Sequence, residues 1–125
     1  HFKNGTATMA NAAMPPIYHY SAKNKKLNEI EIVNLPLGGL SNEEYELVQI
    51  EFDKEDLLIQ LSDGLPEAPN PTGDLIDYDR LFECIEQNAM KSSKDVVESL
   101  VELAENWLDG NINPDDITIV ATKKV

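Results

Sequence analysis

Asp56-Leu57-Leu58-Ile59-Gln60-Leu61-Ser62-Asp63-Gly64 is the stretch on which the fold turns. Five of its first six residues are apolar or amide with no turn residue interrupting them, the pattern of a strand buried on both faces. It stops abruptly at Ser62-Asp63-Gly64. A carboxylate at the end of a buried strand, followed by a residue that allows positive φ, is held rigidly and aimed at one place. Asp-Gly is also a common turn signal, so this stretch alone leaves open a plain turn with Asp63 solvated.

Upstream, Tyr45 to Phe52 alternates, with Glu46, Val48, Ile50 and Phe52 on the more apolar face that should meet the core. Asp53-Lys54-Glu55 then turns the chain into the central strand, and the simplest pairing of the two is an antiparallel hairpin. Earlier still, Leu27 to Ile32 alternates as a half-exposed strand, Ser21 to Lys26 is a polar turn, and Ile17 to Tyr20 is extended. Thr6 to Asn11 reads as a strand that Pro15 and Pro16 bring to an end. Leu35-Pro36-Leu37-Gly38-Gly39-Leu40 is a loop.

Downstream, a long loop from Leu65 to Ile76 carries Pro66, Pro69, Pro71 and Gly73. Loops of this length usually have a job or are disordered. Two helices follow. Leu81, Phe82, Ile85 and Ala89 share a face of the first. Ser92 and Asp95 open the second in the manner of a capping box, and Gly110 ends it. Val96, Leu100, Leu103, Ala104 and Trp107 form its stripe, with Trp107 read as a core anchor. Asn111 to Asp116 then delivers two carboxylates to the head of a last strand, Ile117 to Thr122. Antiparallel neighbours would bring Asp63, at one strand exit, beside Asp115 and Asp116, at another strand entrance. Oxygen ligands from separate elements are what a hard divalent cation requires. An EF-hand reading of Asn111-x-Asn113-x-Asp115 fails, because Asp116 stands where the loop needs glycine and no glutamate closes it.

The chain has 125 residues and a formal net charge of -13, with 23 acidic residues against 10 basic. That length suits one domain with a modest core. Its charge repels phosphate backbones and anionic lipid, so nucleic acid and membrane partners are not expected, while a site that gathers divalent cations suits it. A solubilising acidic surface is the plainer reading of the same numbers. The single cysteine, Cys84, rules out an internal disulfide, fits a reducing, cytoplasmic setting and sits in a helical pattern as a structural residue. His1 and His19 lie in no metal-ligand spacing and read as incidental.

Six motifs in order resemble the C-terminal half of a bacterial PP2C-like, metal-dependent serine/threonine phosphatase domain, of the sporulation and stress-response regulator type. Asn11-Ala12-Ala13-Met14-Pro15-Pro16 stands where that family has Asn-Ala-Gly-His-Pro-Pro, and Pro36-Leu37-Gly38 matches its Pro-Leu-Gly loop. Asp56 to Gly64, Glu67-Ala68-Pro69-Asn70, the spaced Gly73, Arg80 and Leu81, and Asp115-Asp116-Ile117-Thr118 follow. The resemblance implies that Asp63 and Asp115 are metal ligands, with Asp116 in support. It implies two Mg²⁺ or Mn²⁺ ions that activate a water to attack phosphorus, with no phosphoenzyme. It also implies that residues 1–125 are the C-terminal part of one such domain. The N-terminal half, which in the family supplies the carboxylate bridging both metals, is then absent.

Two departures stand out: Ala13-Met14 replaces Gly-His, and Asp77 falls near where many relatives have glycine. Two functions are therefore carried forward. One is part of a phosphatase acting on phosphoserine or phosphothreonine of a regulatory protein, by resemblance an anti-sigma-factor antagonist, with the isolated chain inactive. The other is a truncated or degenerate phosphatase-fold module that binds a regulatory partner without catalysis. The expected fold is α+β: an antiparallel β-sandwich with a pair of antiparallel helices on an outer face. A sheet face left uncovered by the missing half is expected to be sticky and to promote self-association, with the strands at Thr6–Asn11 and Ile117–Thr122 the most exposed.

Overall fold

In the computed structural model, residues 2–3 and 5–125 are described, so His1 lies outside them. Among the described residues, seven strands and two helices run in the order β1 (Phe2–Lys3), β2 (Thr6–Met9), β3 (Ile17–Ser21), β4 (Lys26–Ile30), β5 (Val48–Glu51), β6 (Leu57–Leu61), α1 (Asp77–Asn88), α2 (Ser93–Leu108) and β7 (Ile119–Lys123). They form two antiparallel sheets, β1-β2-β5 and β4-β3-β6-β7. The helices cover the outer face of the second sheet. This is the α+β sandwich with an outer helix pair that the sequence implied.

Period-two alternation explains the layering. From β3 and β6, Tyr18, Tyr20, Leu57, Ile59 and Leu61 pack with Leu81, Ile85, Val96, Leu100 and Ala104 of the helices. The opposite face of those strands gives Ile17 and Leu58, which meet Ala7, Ile32 and Phe52 between the two sheets. So β6 is buried on both sides, as its apolar run requires, and Gln60 is the polar, exposed exception. Ser92 Oγ caps α2 by accepting from Asp95 N–H, and Asp109, in the left-handed region, closes it. Lys123 Nζ donates to the Ala89 and Lys91 carbonyls at 3.0 and 2.8 Å, tying the end of α1 to β7.

The hairpin expected between β5 and β6 does not form. β5 pairs with β2 in the first sheet, and β6 pairs with β3 and β7 in the second. Asp53 to Asp56 is a crossover between layers. Asp56 organises it: its carboxylate, 2 % exposed, accepts from Ala22 N–H at 2.8 Å and Asp53 N–H at 2.9 Å, and His19 Nε2 lies 3.0 Å away. Both carboxylate oxygens are thus engaged, as a buried charge demands. His19 is therefore no incidental residue; it is the side-chain partner of this hub. Burial acts to raise the Asp56 pKa, but the Asp53 and Ala22 amides and then His19 outweigh it and hold the carboxyl below its usual value.

The first sheet leaves part of the second uncovered. On β7, Ile119 and Ala121 turn to the helices, while Val120 is 49 % exposed and, among the described residues, β7 pairs only with β6. β2, by contrast, is the middle strand of its sheet, and its outward Thr6 and Thr8 hydroxyls lie within hydrogen-bond reach of Gln49 Nε2. The exposed element is thus the last strand and not the one near the start. Among the described residues, no helix is long and apolar enough to cross a membrane.

Candidate functional site

The register of β6 against β7 sets Leu61 opposite Ile119, so the exit of one strand and the entrance of the other lie side by side. The ladder then continues without regular strand geometry. Ser62 N–H donates to the Thr118 carbonyl at 3.0 Å. Ser62 Oγ accepts from Thr118 N–H at 2.9 Å and donates to the Asp116 carbonyl at 3.0 Å. One hydroxyl thereby satisfies two backbone groups that the sheet no longer pairs. Asp63 follows directly on one side of this seam, and Asp115 and Asp116 precede it on the other.

Gly64 is required by space and not by a left-handed φ, which it does not have. A β-carbon built on it would overlap the Asp116 carbonyl. The two acid-bearing segments are in backbone contact there, closer than any other residue type would permit. Asn113 Nδ2 adds a further tie by donating to the Gly64 carbonyl at 2.8 Å. On the Asp115 side chain, Oδ1 accepts from Asp116 N–H at 2.7 Å, which leaves Oδ2 free of that bond.

The long loop after Gly64 is ordered by its own polar residues. Glu67 N–H donates to the Asp63 carbonyl at 3.0 Å. Asn70 Oδ1 accepts from the amides of Thr72 and Asp74, at 3.0 and 2.8 Å. Trp107 Nε1 donates to the Asp74 carbonyl at 2.9 Å, and the Arg80 guanidinium stacks over the indole at 4.5 Å. Trp107 thus packs on the core and also pins the loop. Tyr78, on the first turn of α1, borders the same region. Burial, and then the charges of Glu67, Asp63 and Glu29, push its phenol up.

The two departures from the family pattern fall on left-handed residues, Ala13 at φ 58° and Asp77 at φ 64°. Glycine adopts that conformation freely. Here Asn11 holds the first turn, with Oδ1 accepting from Met14 N–H and Nδ2 donating to the Met14 and Pro15 carbonyls. At the second, the Asp77 carboxylate accepts from Arg80, at 3.2 Å from its amide and 2.6 Å from its guanidinium. The Asn11–Pro15 turn then faces the Ser62–Thr118 seam across an open groove of about 240 Å³.

Chemically, the seam offers hard carboxylate oxygens suited to Mg²⁺, Mn²⁺ or Ca²⁺ and no soft donor. Among the described residues, however, no three His, Cys, Asp or Glu side chains converge closely enough to hold an ion by themselves. At this junction Asn113 Oδ1 is buried and has no hydrogen-bond partner among the described residues. Ser62, Asn113 and Tyr78 were not singled out from the sequence, since each acts through a contact with a distant segment.

A sequence profile of the family described as Stage II sporulation protein E (SpoIIE) matches residues 1–124. Protein IcfG of Synechocystis sp. is 24% identical over 118 residues, which take in 94% of this chain and 18% of that protein. Phosphoserine phosphatase RsbU of Bacillus subtilis is 27% identical over 118 residues, 94% of this chain and 35% of RsbU. Among solved structures, the PP2C domain of SiaA from Pseudomonas aeruginosa superposes with a TM-score of 0.78 at 17% identity, over 95% of this chain and 46% of that one. The chain spans less than half the length of each of the three. The structural likeness extends the α+β assignment to a partial PP2C-like fold.

Proposed function

This chain belongs to the SpoIIE family, and on that premise we propose that residues 1–125 are the C-terminal part of a metal-dependent protein serine/threonine phosphatase domain. The observation that carries the reading is the β6–β7 seam, which sets Asp63 beside Asp115 and Asp116 at one end of the sheet. Asp63 and Asp115 would hold the cation, with water completing its shell. Asp116 supports them through its backbone: its N–H engages Asp115 Oδ1 and its carbonyl engages Ser62. Bound there, Mg²⁺ or Mn²⁺ would supply an activated water and neutralise charge developing at phosphorus. The substrate class is phosphoserine or phosphothreonine on a regulatory protein, by resemblance an anti-sigma-factor antagonist. The similarity to RsbU, a phosphoserine phosphatase, agrees with that class.

Two carboxylates do not make a two-ion site, and a further carboxylate from outside this chain would have to complete it. The isolated chain therefore binds divalent ions weakly and turns over no phosphopeptide. The test is hydrolysis of a phosphoserine peptide by the longer protein that carries this segment. Activity should require Mn²⁺ or Mg²⁺ and fall roughly 10²–10³-fold in Asp63→Asn, as when one electrostatic contributor is removed. Activity that survives both chelation and Asp63→Asn would end this reading.

A second reading, a non-catalytic module that binds a regulatory partner, draws on Met14, which stands half exposed where the family pattern has histidine. The same experiment separates the two. A longer protein that binds its phosphorylated partner but never releases phosphate supports the module.

A further inference from the structure

One face of the last strand and its flanks is complementary to itself. Asp116, Thr118, Val120, Thr122 and Lys124 recur at every second position, while Ile119 and Ala121 between them turn to the helices. Asp116, Thr118 and Val120 are exposed. Laid antiparallel against its own copy with Val120 opposite Val120, the row sets Asp116 against Lys124 and Thr118 against Thr122, each twice. Opposite charges and paired threonines are favourable cross-strand neighbours.

The backbone of β7 suits such a partner. Thr118 and Lys124 both turn their backbone groups to the β6 side. The Thr118 carbonyl accepts from Ser62 N–H, Lys124 N–H donates to the Asp56 carbonyl at 3.1 Å, and the Lys124 carbonyl accepts from Glu55 N–H at 2.7 Å. Antiparallel alternation then sends the N–H and C=O groups of Ile119, Ala121 and Lys123 to the far side, where no strand lies among the described residues. With Val120 at the centre, Ile119 of one copy lies opposite Ala121 of the other, so these outward groups meet. The other edge of the sheet, β4, carries Lys26 and Glu29, charges of the kind that discourage such pairing. β7 holds no acid, and its one lysine, Lys123, is bonded to the Ala89 and Lys91 carbonyls.

We propose that β7 is a docking edge for a second copy of this chain, joined antiparallel about a two-fold axis at Val120 into one continuous sheet. The pairing is isologous, so it closes at the dimer. Lys124 Nζ donates to the Phe52 carbonyl and keeps two further protons for Asp116 of the other copy. Those two cross-strand ion pairs offset part of the repulsion between chains of net charge -13.

The test is disulfide trapping of the 125-residue chain in a Cys84→Ala background, in a glutathione redox buffer. Val120→Cys should give a covalent dimer, because the register makes it a non-hydrogen-bonded pair with Cα atoms about 4.5 Å apart, within disulfide reach. Thr118→Cys and Thr122→Cys each lie about 13 Å along the strands from their own equivalents and should not cross-link alone. A mixture of those two variants should. In sedimentation, the wild type should pass from monomer to dimer with no larger species. Asp116→Lys should weaken the dimer about tenfold, since it twice sets like charges opposite each other. Overall charge repulsion predicts the reverse, because the substitution makes the chain less negative. Equal trapping at all three positions, assemblies beyond a dimer, or a tighter Asp116→Lys dimer overturns the proposal. A wild type still monomeric at millimolar concentration also overturns it, and leaves the edge to a strand of different sequence.

Discussion

The Ser62 hydroxyl serves as a rung between two strands, its Oγ lying 2.9 Å from the Thr118 amide it accepts from and 3.0 Å from the Asp116 carbonyl it donates to. Ser62→Ala removes both bonds. The seam is open to water, which takes over part of the loss, so the expected cost is about 1 kcal/mol. Urea denaturation checks it, with the midpoint lowered and the slope unchanged.

Gly64→Ala is expected to be worse. The added methyl meets backbone and not a flexible side chain, so either the turn or the Asp115–Asp116 segment must move. A loss of about 1–3 kcal/mol is expected, typical of forced overpacking. Shifted amide resonances at both segments should accompany it.

Asp56 makes stability depend on acid. Its folded pKa lies below the unfolded value, so its contribution is fully present above the ordinary carboxylate range. The contribution is lost as pH falls through the lowered folded pKa, that is, from about 4 downward. Melting temperature should drop over that window in the wild type. Asp56→Ala strands the Ala22 and Asp53 amides and His19, and should cost about 3–5 kcal/mol at neutral pH. The variant's residual stability should be flatter in the same acid window.

Ala13 pays for a left-handed backbone at φ 58° that glycine would adopt without strain. Part of the gain from Ala13→Gly is returned as added freedom of the unfolded chain. The net expectation is a stabilisation of about 0.5–1 kcal/mol, measured by thermal melting. A loss of stability would mean that the methyl makes a contact worth more than the strain.

Among the described residues β7 is an edge strand, and it carries the exposed Val120. The chain is expected to self-associate at high concentration through this strand. Light scattering should show a concentration-dependent rise in mass that Val120→Lys suppresses. A wild-type monomer that binds no apolar dye would contradict this.

Much of the fold was legible because burial leaves a local imprint. The unbroken run of β6 and the helical stripes at Leu81–Ala89 and Val96–Trp107 each show in consecutive residues. The partner of β5 was not legible. Alternation marks a strand and its buried face, but Val48 and Ile50 look the same whether they lie beside β6 or across from it in another layer. The crossover depends on Asp56, whose bonds to Ala22 and His19 span more than thirty residues. At the seam, Asp63 and Asp115 were visible as acids at strand ends. Ser62 and Asn113 were not, because a hydroxyl or amide in a turn looks ordinary until its distant acceptor or donor is known. Gly64 was noticed for conformational freedom, yet its role is close backbone approach.

The molecule contains one tryptophan, and its indole N–H is bonded to the loop that leaves Asp63. Intrinsic fluorescence of this chain is therefore a single-site optical reporter. Its emission reads the hold of α2 on Asp74 and the stacked Arg80, not an average over scattered indoles. If that loop lifts while the core stays folded, the indole loses a polar partner and a neighbouring cation together. The colour of the emitted light then tells loop release apart from unfolding, with no label attached.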